Sequence, residues 1–245
     1  MKLKTILFPL LLCMGLMPVV CSCGDDETEE YNATSSTGIN SGHAWVDLGL
    51  PSGTKWATCN VGANKPEEYG NYYAWGETTI TKDIYGWSNY KYCIVGLLTK
   101  YCTDSEYGYN GFTDNLTELL PEDDAATANW GSHWQMPSKE QVKELINANY
   151  TTTTWTTQNG VNGRKIVSKS NGKSIFLPAS GSKSDYDPDP YMDGLLGVYL
   201  SRFLDSENTQ RTFCLRISSD QYEDRCDFYD PDRCGGYSVR PVLKQ

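Results

Sequence analysis

Short runs of β-branched and aromatic residues, bounded by Gly, Asn or Pro, recur along the chain and constrain its fold more than any other sequence feature. Residues 43–48 and 55–61 alternate in part between apolar and polar side chains, and Pro51-Ser52-Gly53-Thr54 between them is a turn signal. The two segments therefore predict a β-hairpin. A third aromatic segment follows at residues 72–76.

The C-terminal half repeats this pattern. Residues 150–157 are all Thr, Tyr or Trp, which favour extended backbone. Asn159-Gly160 directly after them is a tight-turn signal, and Asn162-Gly163 is a second candidate turn. We therefore expect a strand over 150–157 that ends in a tight turn.

Three more strands are predicted further along. Residues 164–168 and 174–179 are expected to pair, because Asn171-Gly172 between them is a hairpin-turn signal. Residues 237–243 predict a short terminal strand. Because proline lacks the N–H that a sheet needs, Pro241 favours a position at the sheet edge.

The clearest helix signal begins at Ser138. Ser138 as N-cap and Gln141 three positions later form a capping box, and Val142, Leu145 and Ile146 share one helical face. This helix is expected to end near Asn149. Residues 78–129 are irregular and predict a long insertion, which closes with a short helix over residues 123–129.

These elements predict an α+β fold, strand-rich, with one or two helices and long loops. The length from residue 43 to residue 245 suits a single domain. A net charge of −10 argues against a nucleic-acid partner, because binding a phosphate backbone needs clustered Lys and Arg.

The N-terminal segment predicts export. Lys2 and Lys4 precede an apolar run over residues 6–20, which is typical of a removed signal peptide at 1–22 and is short for a membrane span. Val20-Cys21-Ser22-Cys23 resembles the lipobox of bacterial lipoproteins. That resemblance implies cleavage before Cys23 and lipid on Cys23, with Cys21 as the alternative.

An acidic stretch follows the predicted lipidation site. Residues 24–30 are mostly Asp and Glu, and the whole of 23–42 is too polar to fold, which indicates a disordered tether. The acidic stretch resembles the surface-export signal of Bacteroides-type lipoproteins. The implied location is the outer membrane, lipid-anchored, with the protein facing the cell exterior; a simple spacer is the alternative.

Cysteine and histidine usage limits the metal chemistry. Six cysteines follow Cys23, and an exported protein can pair them in 15 ways, with Cys93 and Cys102 near enough in sequence to be one pair. None forms a CxxC motif, and His43 and His133 are the only histidines. A zinc site is therefore not expected.

Four segments together resemble a known family. Val46–Ala57, Asn129–Ser138, Ser174–Gly181 and Ser238–Val242 are similar, in order, to motifs of the Fibrobacter succinogenes-type major paralogous domain found in lipoproteins of Bacteroidetes. The resemblance implies a C-type-lectin-like or formylglycine-generating-enzyme-like fold over residues 43–245, with paired terminal strands and a loop-rich binding face.

Residues 184–243 have a distinct composition. They contain six of the seven arginines and no lysine or tryptophan. Aromatic and Arg side chains dominate binding hot spots, so residues 199–235 are expected to form a ligand-binding segment, whereas Phe213, Leu215 and Ile217 are expected in the core. The predicted ligand-binding residues are Tyr199, Arg202, Phe203, Arg211, Tyr222, Arg225, Phe228, Tyr229 and Arg233.

The same bias resembles the variable region of proteins that are altered by diversity-generating retroelements, which act on C-type-lectin-like folds. Random change in codons that end in a pyrimidine yields Arg, Cys, Ser, Tyr, Asp and Phe, but not Lys, Trp, Met, Gln or Glu. Glu207, Gln210, Gln221 and Glu223 would then be fixed positions. Ordinary divergence of a surface loop is the alternative.

Two other groups of residues are candidate sites. Residues 185–190 and Asp193 form an acidic loop that could hold Ca²⁺, although such loops also use Asp for turns, so no cofactor is expected. Trp75, Trp87, Trp130 and Trp134 could stack on sugars, but core packing is the favoured interpretation.

Catalysis finds little support in the sequence. GxSxG and HExxH motifs are absent, and the surroundings of Cys226 and Cys234 do not match the formylglycine-generating enzymes. We therefore expect a non-catalytic surface protein that binds an external protein, glycan or partner cell. A component of a surface or fimbrial assembly is the second hypothesis, and a sulfatase-modifying type of enzyme is the third.

Overall fold

The computed structural model describes residues 36–80, 82–205 and 207–244. The signal peptide, Cys23 and the acidic stretch lie outside these residues and stay predictions. The described part is strand-rich with two short helices, as the sequence predicts. Its helices are α1 (Ala125–Trp130) and α2 (Lys139–Leu145), and its strands are β1 (Thr37–Asn40), β2 (His43–Asp47), β3 (Lys55–Ala57), β4 (Cys93–Ile94), β5 (Leu97–Leu98), β6 (Trp134–Gln135), β7 (Thr151–Gln158), β8 (Val161–Ser168), β9 (Ser174–Pro178), β10 (Leu196–Leu204), β11 (Thr212–Ser218), β12 (Cys226–Tyr229) and β13 (Val242–Leu243).

One sheet joins the two ends of the described chain, in the order β1-β2-β3-β13-β6. The predicted hairpin forms between β2 and β3, with Trp45 opposite Ala57. The predicted edge position of the terminal strand is wrong, because β13 pairs with both β3 and β6. Pro241 is tolerated because it precedes β13 and contributes its carbonyl, which accepts a hydrogen bond from the Ala57 amide at 2.9 Å.

The folded region begins earlier than the sequence indicated. Residues 37–40, expected within the tether, form β1 and pair with β2. Gly38 lies against the Trp45 indole so closely that a Cβ there would come within 2.5 Å of the ring. The polar segment is ordered because it packs on Trp45 and buries the indole ring. The local hydrophobicity of residues 37–40 does not reveal this contact.

A second sheet has the order β7-β8-β9 and forms by two hairpins. Asn159 and Gly160 make the predicted β7–β8 turn, with φ of 48° and 84° as a two-residue turn requires. Asn162-Gly163 is not a turn, which corrects that prediction. Gly163 lies inside β8, where its missing side chain lets the Leu177 carbonyl of β9 approach closely.

Helix α2 begins where its sequence signal indicates, whereas α1 begins at Ala125, two residues later than expected. Ser138 and Gln141 form the reciprocal capping box of α2, and Asp124 caps α1 by accepting from the Thr127 amide. Helix α2 ends at Leu145 rather than near Asn149. Asn147 ends it, because its backbone and side-chain carbonyls accept hydrogen bonds from the amides of Tyr150 and Asn149.

The third sheet, β10-β11-β12, lies between two apolar clusters. Val198 and Leu200 of β10 face a cluster rich in Tyr and Trp, whereas Tyr199 faces a second cluster beside α2. The core prediction for Phe213, Leu215 and Ile217 is confirmed, since all are buried; so is that for Trp75, Trp130 and Trp134, and Trp87 packs against the first cluster.

Candidate ligand-binding surface

Five of the nine predicted ligand-binding residues are exposed and lie on or beside β12. About two fifths of each of Tyr222, Phe228 and Tyr229 is accessible, and Arg211 and Arg225 are also exposed. We call Arg211, Tyr222, Arg225, Phe228 and Tyr229 the β12 surface. Among the described strands, β12 pairs only with β11, so it is the outer strand of its sheet.

Phe228 is held on one side of β12 by packing against the sheet. It lies opposite Leu215 of β11, and its ring centroid is 4.8 Å from that of Phe213. Lys139, the first residue of α2, places its Nζ 4.6 Å from the Phe213 ring. Phe228 is therefore an aromatic group with a fixed position, which lowers the entropy lost on binding.

The other side of β12 is charged. Arg216 makes a bidentate pair with Asp227, both bonds 3.1 Å long, and its guanidinium lies 5.0 Å from the Tyr229 ring centroid. Arg225 donates to the same Asp227 at 3.2 Å. Burial raises the pKa of Tyr229, so its hydroxyl stays protonated at neutral pH and can donate or accept. Arg216 and Asp227 support this side, a role that sequence reasoning missed.

A strained bend connects β11 to β12 and displays Tyr222. Glu223 and Asp224 both have positive φ, 71° and 41°, which non-glycine residues rarely adopt. Buried Arg164 of β8 holds the bend by donating to the Ser218 carbonyl and to the Asp224 carboxylate. The second sheet therefore fixes the bend that carries Tyr222.

Two predicted ligand-binding residues are buried instead, which corrects the prediction for them. Tyr199 is 3 % exposed and its hydroxyl donates to the Pro178 carbonyl. Arg233 is fully buried among Trp75, Tyr90 and Tyr101, with its guanidinium 4.9–5.9 Å from the three ring centroids. Neither side chain can reach a ligand at the surface.

The hydrogen bonds of Arg233 explain how an arginine is accommodated in the core. Its donors reach the Tyr90 hydroxyl at 2.8 Å and the backbone carbonyls of Tyr101, Thr209 and Lys100 at 2.7–3.1 Å. A buried cation needs such partners to offset its lost hydration. No signal in the sequence indicates that Arg233 is buried, because these partners are distant from it in the chain.

The remaining two predicted residues, Arg202 and Phe203, are half-buried on β10. Arg202 donates from Nε to Glu118 at 2.5 Å and from Nη1 to the Met136 carbonyl at 3.2 Å. It also borders a cavity of about 410 Å³. The cavity is lined by Ser52, Gln135, Ser138, Gln141, Arg202 and Lys244.

Sequence reasoning missed this cavity as a whole. Its lining comes from the loop before β3, from β6, from α2, from β10 and from the end of β13, so no single motif marks it. Lys139, next in the chain to the cavity residue Ser138, contacts Phe213, which in turn packs against Phe228. Lys139 and Phe213 therefore lie between the cavity residue Ser138 and Phe228 of the β12 surface.

The described residues contain no group of three or more His, Cys, Asp or Glu side chains placed to hold a metal ion. In the acidic loop over 185–193, Tyr186 is 93 % exposed and Tyr191 is 64 % exposed, a feature that the calcium hypothesis overlooked.

The six described cysteines are unpaired, so the suggested Cys93–Cys102 bridge is absent. The Cys102 thiol instead donates to the Asp104 carbonyl at 3.1 Å. Burial raises the pKa of Cys234 to about 12 and that of Cys214 well above its usual range. These two thiols are therefore unreactive at neutral pH, since the thiolate is the reactive form.

Comparison with protein-family models, with curated proteins and with solved structures finds no match to the chain. Within the described ranges, neither helix has the length and apolar character needed to cross a membrane.

Proposed function

We propose that this protein is a lipid-anchored, non-catalytic protein on the outer face of the outer membrane, where it binds an external ligand or a partner cell through the β12 surface. The observation that carries the proposal is the β12 surface itself. Exposed Arg and aromatic side chains converge there on a supported outer strand. Residues of these types contribute most of the binding energy in protein interfaces.

A C-type-lectin-like fold belongs to the same proposal. It is supported by the sheet that joins β1, β2 and β3 to β13, by two short helices and by the extended irregular region between β3 and α1. The four family-like motifs of the sequence fall on or next to β2 and β3, α1 and β6, β9, and β13. Cys23 and the acidic residues 24–30 would supply the anchor and the export signal.

Binding to defined surfaces tests the proposal. The labelled mature protein is applied to mucin, to fibronectin, to laminin and to whole cells of other bacteria. A variant with Arg211, Tyr222, Arg225 and Tyr229 changed to Ser, named the β12 variant, is applied in parallel. On whichever surface the wild type binds, the affinity of the β12 variant should be lower by about tenfold or more, because hot-spot side chains are removed.

The control variant carries Lys165→Ser, Lys173→Ser, Tyr186→Ser and Tyr191→Ser. It removes the same number of cationic and aromatic side chains, all exposed, from other places on the surface. Phe228 is kept in both variants because it packs on Phe213. Equal binding by the wild type and the β12 variant would contradict the proposed site.

A structural role in a surface or fimbrial assembly is a second candidate. The observation that favours it is the outer edge of β12, which pairs with no other described strand and could accept a strand from a partner. Co-purification with fibre subunits from cells that persists in the β12 variant, which keeps the strand backbone but lacks four of its exposed side chains, would favour this role over ligand binding.

A further inference from the structure

The cavity beside Arg202 is polar and carries excess positive charge among its lining residues. Arg202 and Lys244 are its two cations, and its other lining residues are two serines and two glutamines. This contrasts with the chain as a whole, whose net charge is −10. Its volume of about 410 Å³ falls within the ordinary range of small-ligand sites.

The acidic groups near the cavity are already engaged. Glu118 accepts a hydrogen bond from Arg202 Nε, and Glu144 accepts from the backbone amide and hydroxyl of Ser52. Neither glutamate lines the cavity. Arg202 Nη2 and Lys244 Nζ, by contrast, donate no hydrogen bond within the described part of the chain, although the Arg202 guanidinium is ion-paired with Glu118 through Nε.

We infer that this cavity is a binding site for a ligand of monosaccharide size that carries one carboxylate. The carboxylate would accept from Arg202 Nη2 and Lys244 Nζ, as such charge-assisted bonds are among the strongest available. Gln135 can donate and accept toward hydroxyl or amide groups on the rest of the ligand, and the Ser138 hydroxyl, whose oxygen caps α2, can still donate. The site goes beyond the proposed function, since none of its residues belongs to the β12 surface.

The local charge favours a monoanion over a dianion. Glu118 is bonded to Arg202 and Glu144 to Ser52, so the formal charges of these two acids offset those of Arg202 and Lys244. At the cavity itself, Arg202 Nη2 and Lys244 Nζ remain as cationic donors that make no hydrogen bond within the described residues. A phosphate dianion would gain less there and would meet more repulsion from the two glutamates.

The test is an NMR titration of the full-length mature protein in detergent with two pairs of probes. D-galacturonate is compared with D-galactose, and N-acetylalanine with N-acetylalaninamide, so each acid is matched by a neutral twin. The acid of at least one pair should bind about tenfold more tightly than its twin. The pair that shows the difference identifies the source of the carboxylate as a sugar or a peptide.

Lys244→Gln and Arg202→Lys should each weaken acid binding about threefold or more, the latter because lysine lacks the planar fork of arginine. Lys143→Gln, which removes an exposed charge of α2 outside the cavity, should leave binding unchanged. Equal affinity for acids and their twins, unchanged acid binding in both cavity variants, or preferential binding of inorganic phosphate would each overturn the inference. The β12 variant should bind the acid normally, which separates this test from that of the proposed function.

Discussion

Asp123 gathers four donors that lie 22 to 32 residues earlier in the chain. Its carboxylate, 3 % exposed as a residue, accepts from the hydroxyls of Tyr92 and Tyr101 and from the ammonium groups of Lys91 and Lys100. Burial alone would raise the pKa of Asp123, but the hydrogen bonds from Lys100, the two tyrosines and Lys91 outweigh burial and hold it below the usual range. Asp123 therefore stays ionised in the folded protein and ties the irregular region 85–123 together.

Asp123→Asn should lower the free energy of unfolding by about 3 kcal/mol at pH 7, because two buried tyrosine hydroxyls and two partly exposed lysines lose a charged acceptor. The folded pKa lies below the unfolded value of about 4, so the contribution of the carboxylate is fully present above pH 4 and is lost as pH falls below it. The difference between wild type and variant should therefore shrink from pH 7 to pH 3 in urea denaturation.

The exposed neighbour Glu122 supplies the control for this prediction. Glu122→Gln should change stability by less than about 0.5 kcal/mol at either pH, as expected for a surface substitution. A difference between Asp123→Asn and wild type that stays constant down to pH 3 would contradict the role of the ionised carboxylate.

Side-chain chemistry predicted the β12 surface only in part. Arg225 and Arg233 look equivalent in sequence, yet the first is exposed and the second is enclosed by three aromatic rings. The same cation that forms binding hot spots can be buried where carbonyls and rings surround it. That environment comes from residues 75, 90 and 101, and long-range contacts of this kind cannot be read from local pattern.

At the scale of elements, local sequence signals predicted most of the turns and helix caps correctly. Asn159-Gly160, Asn171-Gly172 and the capping box of α2 all form where the sequence places them. The errors came from elements that depend on distant partners. β1 exists because Trp45 needs cover, and β13 is central because β3 and β6 both pair with it.

Gly163 tests the corrected interpretation of one such element. Its Cβ would lie 2.3 Å from the Leu177 carbonyl oxygen, so Gly163→Ala should separate β8 from β9 locally and lower the free energy of unfolding by about 3 kcal/mol. Gly172 in the turn has open space around it and a φ of 73°, so Gly172→Ala should lower it by only about 1 kcal/mol.

Thermal or urea unfolding of the two variants measures this contrast. If Gly163 belonged to a turn, as the sequence alone suggested, both substitutions would have similar effects. A Gly163→Ala effect no larger than that of Gly172→Ala would therefore contradict the close strand approach.

At the scale of the whole molecule, the predicted anchor decides where the β12 surface can act. Cys23→Ala should move the protein out of the membrane fraction and abolish incorporation of labelled palmitate, because the acylated cysteine is lost. Cys21→Ala should leave both unchanged. If membrane association depended on Cys21 instead, Cys21 and not Cys23 would be the acylated residue.

The exposed part of the predicted variable segment is shorter than 199–235. Residues 212–215 and 217–219 are buried, so changes there would disturb the core, whereas 220–225 and 228–229 are exposed. A retroelement that diversifies this protein should therefore vary mainly codons of exposed positions. The neighbouring DNA should then carry a near-copy with adenines at those codons and a reverse transcriptase gene; their absence would leave ordinary divergence.

Hydrogen exchange with and without a bound partner tests the central claim, recognition through the β12 surface, most directly. The partner is the surface component that the wild-type protein binds among mucin, fibronectin and laminin, supplied in soluble form. The account predicts that exchange slows for the amides of residues 222–230 and stays unchanged for residues 159–173 of the second sheet. Slowed exchange elsewhere, with residues 222–230 unaffected, would contradict it.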